Sequence, residues 1–330
     1  MAPALARRVR RWPALLTAVL VAAVLAACTS TADQGLPPWH NGVLTIGTGP
    51  TNGVFNQIGG GYADIVNRHL PGYEALAPPT NGAGENLQRL ARGDVDIAFT
   101  FADVAADAVA GKGAFEGRPV RLRALARVWN SYTHLVVRAD AHVTSVQGLK
   151  DLRVATGPRG SGTEEVALRV LAAAGVDPDR DLKRTSASLS QMTNLMREDR
   201  LDAMFYTAGL PTVGLTALFG QAPGRFTLVP LGEVLPALNR AHPDIYSAAV
   251  IPKAAYGLGR DTATVAVPNL IVVGEDMPID LAHKLTELIF TYQSELAAVH
   301  PEGANIDRAK ASETAPLSLH TGAELFYNVS

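Results

Sequence analysis

The stretch that decides the fold is Val154–Glu165, "VATGPRGSGTEE". It begins as a short strand, continues as a glycine loop and ends where the apolar spacing of "TEEVALRVLAAAGV" predicts a helix. Glycines let backbone amides approach an anion closely, and the N-terminus of a following helix adds positive potential. The stretch therefore predicts an α/β fold with the physical capacity to hold an anion at a strand–helix junction.

This loop lacks the features of a nucleotide site. A P-loop, G-x-x-x-x-G-K-[ST], needs a lysine where Thr163 stands. An earlier loop, "GTGPTNG" (residues 47–53), is one residue longer than the dinucleotide fingerprint. A helix terminus contributes about 0.3–1 kcal/mol, which suits a single carboxylate better than a triphosphate. The alternative is that both loops are tight turns capped by Ser and Thr.

The two loops belong to a repeated local plan. "IGTGPTNG" and "VATGPRGSG" share Thr-Gly-Pro, while "LARGDVDIAFTF" and "MREDRLDAMFYT" share a helix end, a charged turn and a strand. We interpret this as two α/β lobes with mostly parallel sheets and right-handed crossovers, although chance similarity of short segments is the alternative. "LRALARVW" and "THLVVRAD" predict two further strands. The lobe-crossing segments are expected near "NSYTHLVVRAD" and "GRDTATVAVPNL".

The N-terminus has the pattern of an export signal. Four arginines among residues 7–11 precede the apolar residues 12–27, which are too few to span a membrane as a helix. The run ends in "LAAC", and Cys28 is the only cysteine. This resembles a bacterial lipobox, which implies cleavage before Cys28 and its lipidation; an incidental cysteine in a leader is the alternative. Residues 28–41, rich in polar residues and proline, predict a tether.

Composition excludes several functions. Four of the 29 Lys and Arg residues lie in the leader, so the mature chain has 25 against 31 Asp and Glu, a net charge of −6. An acidic chain is not expected to bind nucleic acid. No intrachain disulfide or cysteine-based zinc site is possible, and no H-E-x-x-H motif or nucleophile–base pair is visible. We therefore expect no catalysis, metal or cofactor.

Several segments together resemble one family, the TAXI-type solute receptors of TRAP transporters. They are "GTGPTNGVFNQIGGGYADIVN", "NGAGENLQRLARGDVDIAF", "TGPRGSGTEEVALRVLAAAG", "FYTAGLP" and "LHTGAELFY", and the resemblance covers residues 42–328. It implies a periplasmic-binding-protein fold of type II, with residues 42–135 plus 262–330 as one lobe, residues 136–261 as the other, and a hinge between them.

The resemblance also implies a ligand site in the cleft. A departure from the family is that Phe101-Ala102 replaces a common Gln-Ser pair, which points to a shorter or more apolar ligand. Arg159 could meet a carboxylate bidentately, or be a solvated loop residue. Asn86 is a further candidate at the rim of the first loop. The implied ligand-binding residues are Thr48, Gly49, Asn52, Phe55, Asn81, Gly82, Asp103, Arg159, Gly160, Ser161, Gly162, Thr163, Tyr206, Thr207, Gly209 and Pro211.

The expected function is therefore that of an extracytoplasmic, lipid-anchored, monomeric receptor. It would capture a small organic acid, a dicarboxylate or an amino acid such as glutamate, and deliver it to a TRAP-type permease. Two alternatives stay open at this point: a binding protein of an ABC importer, and a lipid-anchored sensor that signals through a partner.

Overall fold

The computed structural model describes residue 36 and residues 39–328 of the chain. The predicted signal peptide, Cys28 and most of the predicted tether lie outside the described residues. Residues 39–41 are described, and there His40 Nδ1 lies 2.5 Å from the carboxylate of Asp96 on the folded body. Within the described ranges, no helix has the length and apolar character needed to cross a bilayer.

Strands and helices alternate through most of the described chain, as the sequence predicts. The strands are β1 (Val43–Gly47), β2 (Glu74–Leu76), β3 (Ile97–Phe101), β4 (Leu122–Arg138), β5 (Arg153–Ala155), β6 (Lys183–Thr185), β7 (Ala203–Ala208), β8 (Phe226–Leu228), β9 (Ser247–Ile251) and β10 (Thr262–Gly274). The α-helices are α1 (Val54–His69), α2 (Ala83–Arg92), α3 (Ala102–Ala110), α4 (Gly162–Ala173), α5 (Leu189–Arg197), α6 (Val213–Gln221), α7 (Leu235–Ala241), α8 (Ile279–Thr291), α9 (Gln293–Val299) and α10 (Thr321–Asn328).

The strands form a sheet in the order β2-β1-β3-β10-β4-β7-β5-β6, with β8 beside β4 and β9 beside β10. We call β1–β3 with α1–α3 the first lobe, and β5–β7 with α4–α6 the second lobe. The prediction of a two-lobed α/β fold is confirmed.

Strand direction differs from the prediction. β1 is parallel to β2 and β3, and β5 is parallel to β6 and β7. In the centre, β10 is antiparallel to β3, β4 and β9, and β4 is antiparallel to β7 and β8. The prediction of mostly parallel pairing is therefore wrong for the centre, because β4 carries the chain from the first lobe to the second and β10 carries it back.

The two predicted strands "LRALARVW" and "THLVVRAD" are one continuous strand, β4. The polar Asn130-Ser131 between them does not end the strand, because Asn269 on the neighbouring β10 supplies hydrogen-bond partners. The Ser131 hydroxyl donates to Asn269 Oδ1 at 2.9 Å, and Asn269 Nδ2 donates to the Trp129 carbonyl at 2.9 Å. β4 pairs with β10 over its first part and with β7 over its last, so it links the two lobes.

Each lobe has its own apolar core between sheet and helices. In the first lobe, Ile46 and Phe99 are fully buried, and the Tyr62 hydroxyl of α1 donates to the Leu285 carbonyl of α8 at 2.8 Å. In the second lobe, Phe205 of β7 is fully buried. Helices follow the carboxyl ends of the parallel strands, so in each lobe the helix N-termini gather at one edge of the sheet, where α/β proteins hold ligands.

Candidate functional site

The two lobes border a cavity of about 40 Å³ at these strand ends. It is lined by Pro50, Gly53, Val54, Phe55, Asn81, Gly82, Ala83, Phe101, Ser131, Pro158, Ser161, Gly162, Thr163, Tyr206, Thr207, Ala208 and Gly209. Nine of the implied ligand residues are among these: Phe55, Asn81, Gly82, Ser161, Gly162, Thr163, Tyr206, Thr207 and Gly209. The structure thus brings the two glycine loops to one shared crevice.

Aromatic rings form the wall contributed by the first lobe. Phe55, in the first turn of α1, lies with its ring centroid 5.5 Å from Phe99, 5.5 Å from Phe101 and 6.0 Å from Trp129. Rings at these separations and tilts attract one another beyond their area burial. Phe55 and Phe101 reach the cavity, so this wall is apolar and held firmly in place.

An asparagine supports this wall from behind. Asn86 of α2 is fully buried, and its Nδ2 donates to the carbonyls of Thr48 and Phe99. Its Oδ1 accepts from the Thr80 hydroxyl at 2.7 Å. Asn86 therefore ties the end of β1 to the end of β3 and does not lie at the rim.

Hydroxyl groups of the second lobe face the aromatic wall. Ser161 is the N-cap of α4, and its Oγ accepts from the amide of Glu164 at 3.1 Å. Thr163 Oγ1 accepts from the amide of Thr207 at 3.2 Å, which joins α4 to the end of β7. The Tyr206 side chain is 5% exposed, and its hydroxyl has no hydrogen-bond partner among the described residues.

Backbone amides supply the positive potential of the site. The first amides of a helix have no intrahelical acceptor, and here α1, α2 and α4 all begin at the cavity. The amides of Val54, Phe55, Ala83, Gly162 and Thr163 have no protein acceptor within the described part of the chain. A partly buried helix terminus stabilises an anion by up to about 2 kcal/mol, so the three together favour a negative ligand group.

Close backbone approach between the lobes shows that the cleft is closed. A Cβ on Gly84 of α2 would stand far below 3.0 Å from the Gly160 carbonyl oxygen. A Cβ on Gly162 would stand 2.5 Å from the Phe101 ring and 2.9 Å from Ala83 Cβ. Both pairs join the first lobe to the second, and glycine is required because any side chain would hold the lobes apart.

Seven of the implied residues do not line the cavity. Thr48 is fully buried behind it, with its hydroxyl donating to the Pro78 carbonyl at 2.9 Å. Asn52 is exposed, in a left-handed conformation (φ 66°). Arg159 is also exposed and lies in a surface depression with Asp179 and Arg184. The remaining four are Gly49, Asp103, Gly160 and Pro211.

Asp103 has a structural partner in the other lobe. It is fully buried on α3 and forms an ion pair with Arg169 of α4, whose side chain is 10% exposed. Arg169 also pairs with Asp107, and the Tyr246 hydroxyl donates to Asp103 at 2.5 Å. This latch, formed by Asp103, Asp107, Arg169 and Tyr246, joins the two lobes.

Pro211 also belongs to a contact outside the cavity. Its carbonyl accepts from His300 Nε2 at 3.1 Å, and the amide of Leu210 donates to Glu302 Oε1 at 2.5 Å. Burial raises the pKa of the Glu302 carboxyl. The segment after α9 therefore holds the loop that follows β7, next to Gly209.

A buried histidine lies beneath the second wall. His134 of β4 is fully buried, with Nδ1 3.0 Å from the Tyr206 carbonyl and Nε2 2.9 Å from the Tyr256 hydroxyl. Burial lowers the pKa of His134 to about 4, since desolvation disfavours the charged imidazolium. His134 is therefore neutral at pH 7 and supports the backbone of Tyr206.

Several lining residues escaped the sequence analysis: Pro50, Gly53, Val54, Ala83, Phe101, Ser131, Pro158 and Ala208. Most are small or apolar; Pro50, Gly53 and Pro158 stand in the two glycine loops, but their side chains carry no polar group that would indicate ligand binding. The sequence did draw attention to Phe101, because this residue stands where the resembled family commonly has a polar side chain. Across the described ranges, no group of three or more His, Cys, Asp or Glu residues is arranged to hold a metal ion.

Comparisons with known proteins agree with this architecture. Solved structures of similar fold include the binding-protein component of an ABC phosphonate transporter from Pseudomonas aeruginosa (TM-score 0.53, 14% identity, 81% of this chain and 80% of that chain). Others are a Xanthomonas citri protein bound to ATP (0.51, 14%, 87% and 98%) and an ancestral arginine-binding protein with arginine (0.50, 14%, 79% and 97%). At such identities the likeness concerns the fold alone. A model of the NMT1-like family matches residues 46–328, nearly the whole described chain, and the protein therefore belongs to the NMT1-like family.

Proposed function

We propose that this protein is an extracytoplasmic solute receptor that captures a small organic acid and delivers it to a membrane importer. The observation that carries the proposal is the cavity between two lobes, at which three helices begin. Ligand capture needs such a crevice, and closure lets groups of both lobes contact one solute. In this proposal the export signal is cleaved before Cys28, and the lipid on Cys28 holds the monomeric receptor at the membrane surface.

Binding without catalysis fits the chemistry of the lining. The Ser161 hydroxyl is engaged by the Glu164 amide and Thr163 by the Thr207 amide. His134 contacts a tyrosine and a carbonyl and is not paired with either hydroxyl. The groups left over are backbone amides, the O–H protons of Ser161 and Thr163, and the Tyr206 hydroxyl, which can donate hydrogen bonds to a ligand but are not arranged as a nucleophile and base.

The energy needed for capture is available from these groups. A micromolar dissociation constant corresponds to about −8 kcal/mol. Hydrogen bonds to a charged group contribute about 1.5–3 kcal/mol each, and burial against Phe55 and Tyr206 adds to them. In this proposal the first lobe extends to residues 42–135 plus 262–330, the second lobe extends to residues 136–261, and the two close about β4 and β10.

The importer is proposed to be of the ABC type. Structural neighbours with this fold include a component of an ABC phosphonate transporter, which favours this class over the TRAP-type permease expected from the sequence. The TRAP permease stays the second candidate because the ordered segments of residues 42–328 resemble TAXI receptors. Uptake by cells carrying the receptor with its permease separates the two: collapse of ion gradients at constant ATP stops TRAP uptake, whereas an ABC importer continues.

A screen of the purified chain against organic acids tests the receptor itself. A specific ligand raises the melting temperature by mass action. The site is tested with Ser161→Asp, which keeps a good N-cap but adds a negative charge at the cavity. Two like charges 4 Å apart repel by about 4 kcal/mol at an effective dielectric constant of 20, so affinity should fall about a thousandfold.

Ser161→Asn is the matched control, because asparagine has the same shape as aspartate, is an equally good N-cap and carries no charge. It should retain most of the affinity. Both variants should unfold at the temperature of the unmodified chain. Equal affinities for Ser161→Asp and Ser161→Asn would mean that no anion binds beside this residue.

A further inference from the structure

The cavity wall carries no formal charge. None of the residues that line it within the described chain is Asp, Glu, His, Lys or Arg. A receptor for a dicarboxylate or an amino acid must compensate each ionised group with an opposite charge or a set of hydrogen-bond partners, because a buried uncompensated charge is very unfavourable. The wall therefore limits what charge the ligand can carry.

The ionisable groups close to the cavity are committed elsewhere. Asp103, which could have met an ammonium group, is paired with Arg169 in the latch. Arg159 is exposed and lies in a surface depression outside the cavity. Glu85 and Arg89 pair with each other at the cleft mouth, where they line an outer depression with Ser188 and Ser190. None of these groups is free to neutralise a second charge inside the cavity.

One negative charge, in contrast, has suitable donors. The free amides at the starts of α1, α2 and α4 converge on the cavity. A second and independent sign of a missing acceptor is Tyr206, a residue that is 5% exposed and lines the cavity, and whose hydroxyl has no hydrogen-bond partner among the described residues. That hydroxyl stands 3.4 Å from where a Cβ on Gly53 would be, so it points across the cleft to the start of α1.

The closed cavity also limits size. Its volume is about 40 Å³, whereas a cavity that accepts benzene measures about 150 Å³. The apolar rings of Phe55 and Phe101 border this space on the side of the first lobe, and the glycine contacts hold the second lobe close to it. The ligand body must therefore be short.

We propose that the ligand is a small monocarboxylate: one negative charge, no ammonium group and about two to four carbon atoms. The inference rests on the proposed receptor function and narrows its substrate class. The carboxylate accepts hydrogen bonds from the helix amides and from Tyr206, and the short apolar remainder lies against Phe55 and Phe101. This replaces the sequence-based expectation of a dicarboxylate or an amino acid such as glutamate.

Three acids with three carbon atoms test the charge rule by calorimetric titration of the purified chain. Propionate carries one carboxylate, malonate carries two, and alanine adds an ammonium group. Propionate should bind, with malonate and alanine at least 100-fold weaker. Acetate, butyrate and hexanoate test the size rule, and affinity should fall at hexanoate.

The possible failures are distinct. Equal or tighter binding of malonate, alanine or hexanoate overturns the inference but leaves the receptor function standing. If no acid binds but another solute raises the melting temperature, the inference is likewise overturned and the receptor function still stands. If no solute in a broad screen binds, both the inference and the receptor function fail.

Tyr206→Phe tests the hydroxyl specifically. Because this group has no protein partner among the described residues, its loss should leave the melting temperature unchanged while propionate affinity falls about 10- to 150-fold. Tyr256→Phe is the matched control: its hydroxyl contacts His134 and accepts from the Thr212 amide at 3.1 Å, so stability should fall and propionate affinity should not. Unchanged affinity in Tyr206→Phe would overturn its role as a ligand donor.

Discussion

Glycine at position 84 should control closure of the cleft. Gly84 lies in the first turn of α2, directly against the Gly160 carbonyl of the other lobe, and a Cβ there would stand far below 3.0 Å from that oxygen. Gly84→Ala should therefore prevent full closure, whereas the open form has no such contact. Overpacking of this kind costs about 1–3 kcal/mol, which corresponds to a loss of ligand affinity of about 5- to 150-fold.

The same substitution should not weaken the fold. Alanine is favoured over glycine in helices by up to about 1 kcal/mol, so the melting temperature of the ligand-free protein should be equal or higher. Gly60→Ala in α1 is the matched control, because nothing lies within 4 Å of its Cβ position. It should gain the same helix stability and keep full affinity.

Calorimetry with the ligand found in the acid screen gives the affinities, and small-angle scattering gives the radius of gyration. Gly84→Ala should have the larger radius in the presence of saturating ligand, and Gly60→Ala should match the unmodified chain. If Gly84→Ala binds normally and is equally compact, the contact with Gly160 does not limit closure and the reasoning is refuted.

Two further predictions concern buried ionisable groups. Arg169→Gln leaves Asp103 buried without its cationic partner, at a cost of about 3–5 kcal/mol, and calorimetry should show weaker ligand binding. The double variant Arg169→Gln with Asp103→Asn should recover much of the lost affinity. No recovery would argue against an ion-pair latch. His134 has a folded pKa of about 4, below its ordinary 6.5, so the unfolded chain binds its proton first and stability is lost as pH falls from 6.5 towards 4. This loss of stability should reach about 2 kcal/mol at pH 5. Denaturant titration of His134→Gln at pH 7 and pH 5 should show a smaller change in stability than the unmodified chain shows. An equal change would contradict a neutral, buried His134.

Local chemistry made much of the fold predictable. The turn at Gly93-Asp94 and the strand after it follow from an amphipathic helix, a glycine and an apolar run, and Gly93 does adopt the left-handed conformation. The helix of Gly162–Ala173 begins at a serine cap that was visible in the sequence. These features depend on neighbours along the chain, and a single sequence displays them.

Features that depend on distant partners could not be predicted in this way. The polar Asn130-Ser131 gave no indication that Asn269, far along the chain, would keep β4 continuous. Asp103 matched a ligand position by motif, but its contact with Arg169 removes it from the cavity. The composition of the site also depends on closure of the cleft, because Phe101 of the first lobe and Gly162 of the second lie together only when the cleft is closed.

In the proposed receptor, main-chain amides bind the negative charge and the side chains of the wall select the rest of the solute. An arginine in the wall would affect both charge binding and the shape of the crevice. An amide at the start of α1 or α4 is present whatever side chain the residue carries, so in the proposed receptor most donors to the anion do not depend on side-chain identity, and the Tyr206 hydroxyl is the exception. The residues that shape the rest of the crevice, Phe101 above all, can then vary without loss of the charge-binding groups. A receptor built in this way can acquire a new solute through one substitution in its wall, and related proteins with different rings at this position should prefer acids of different length.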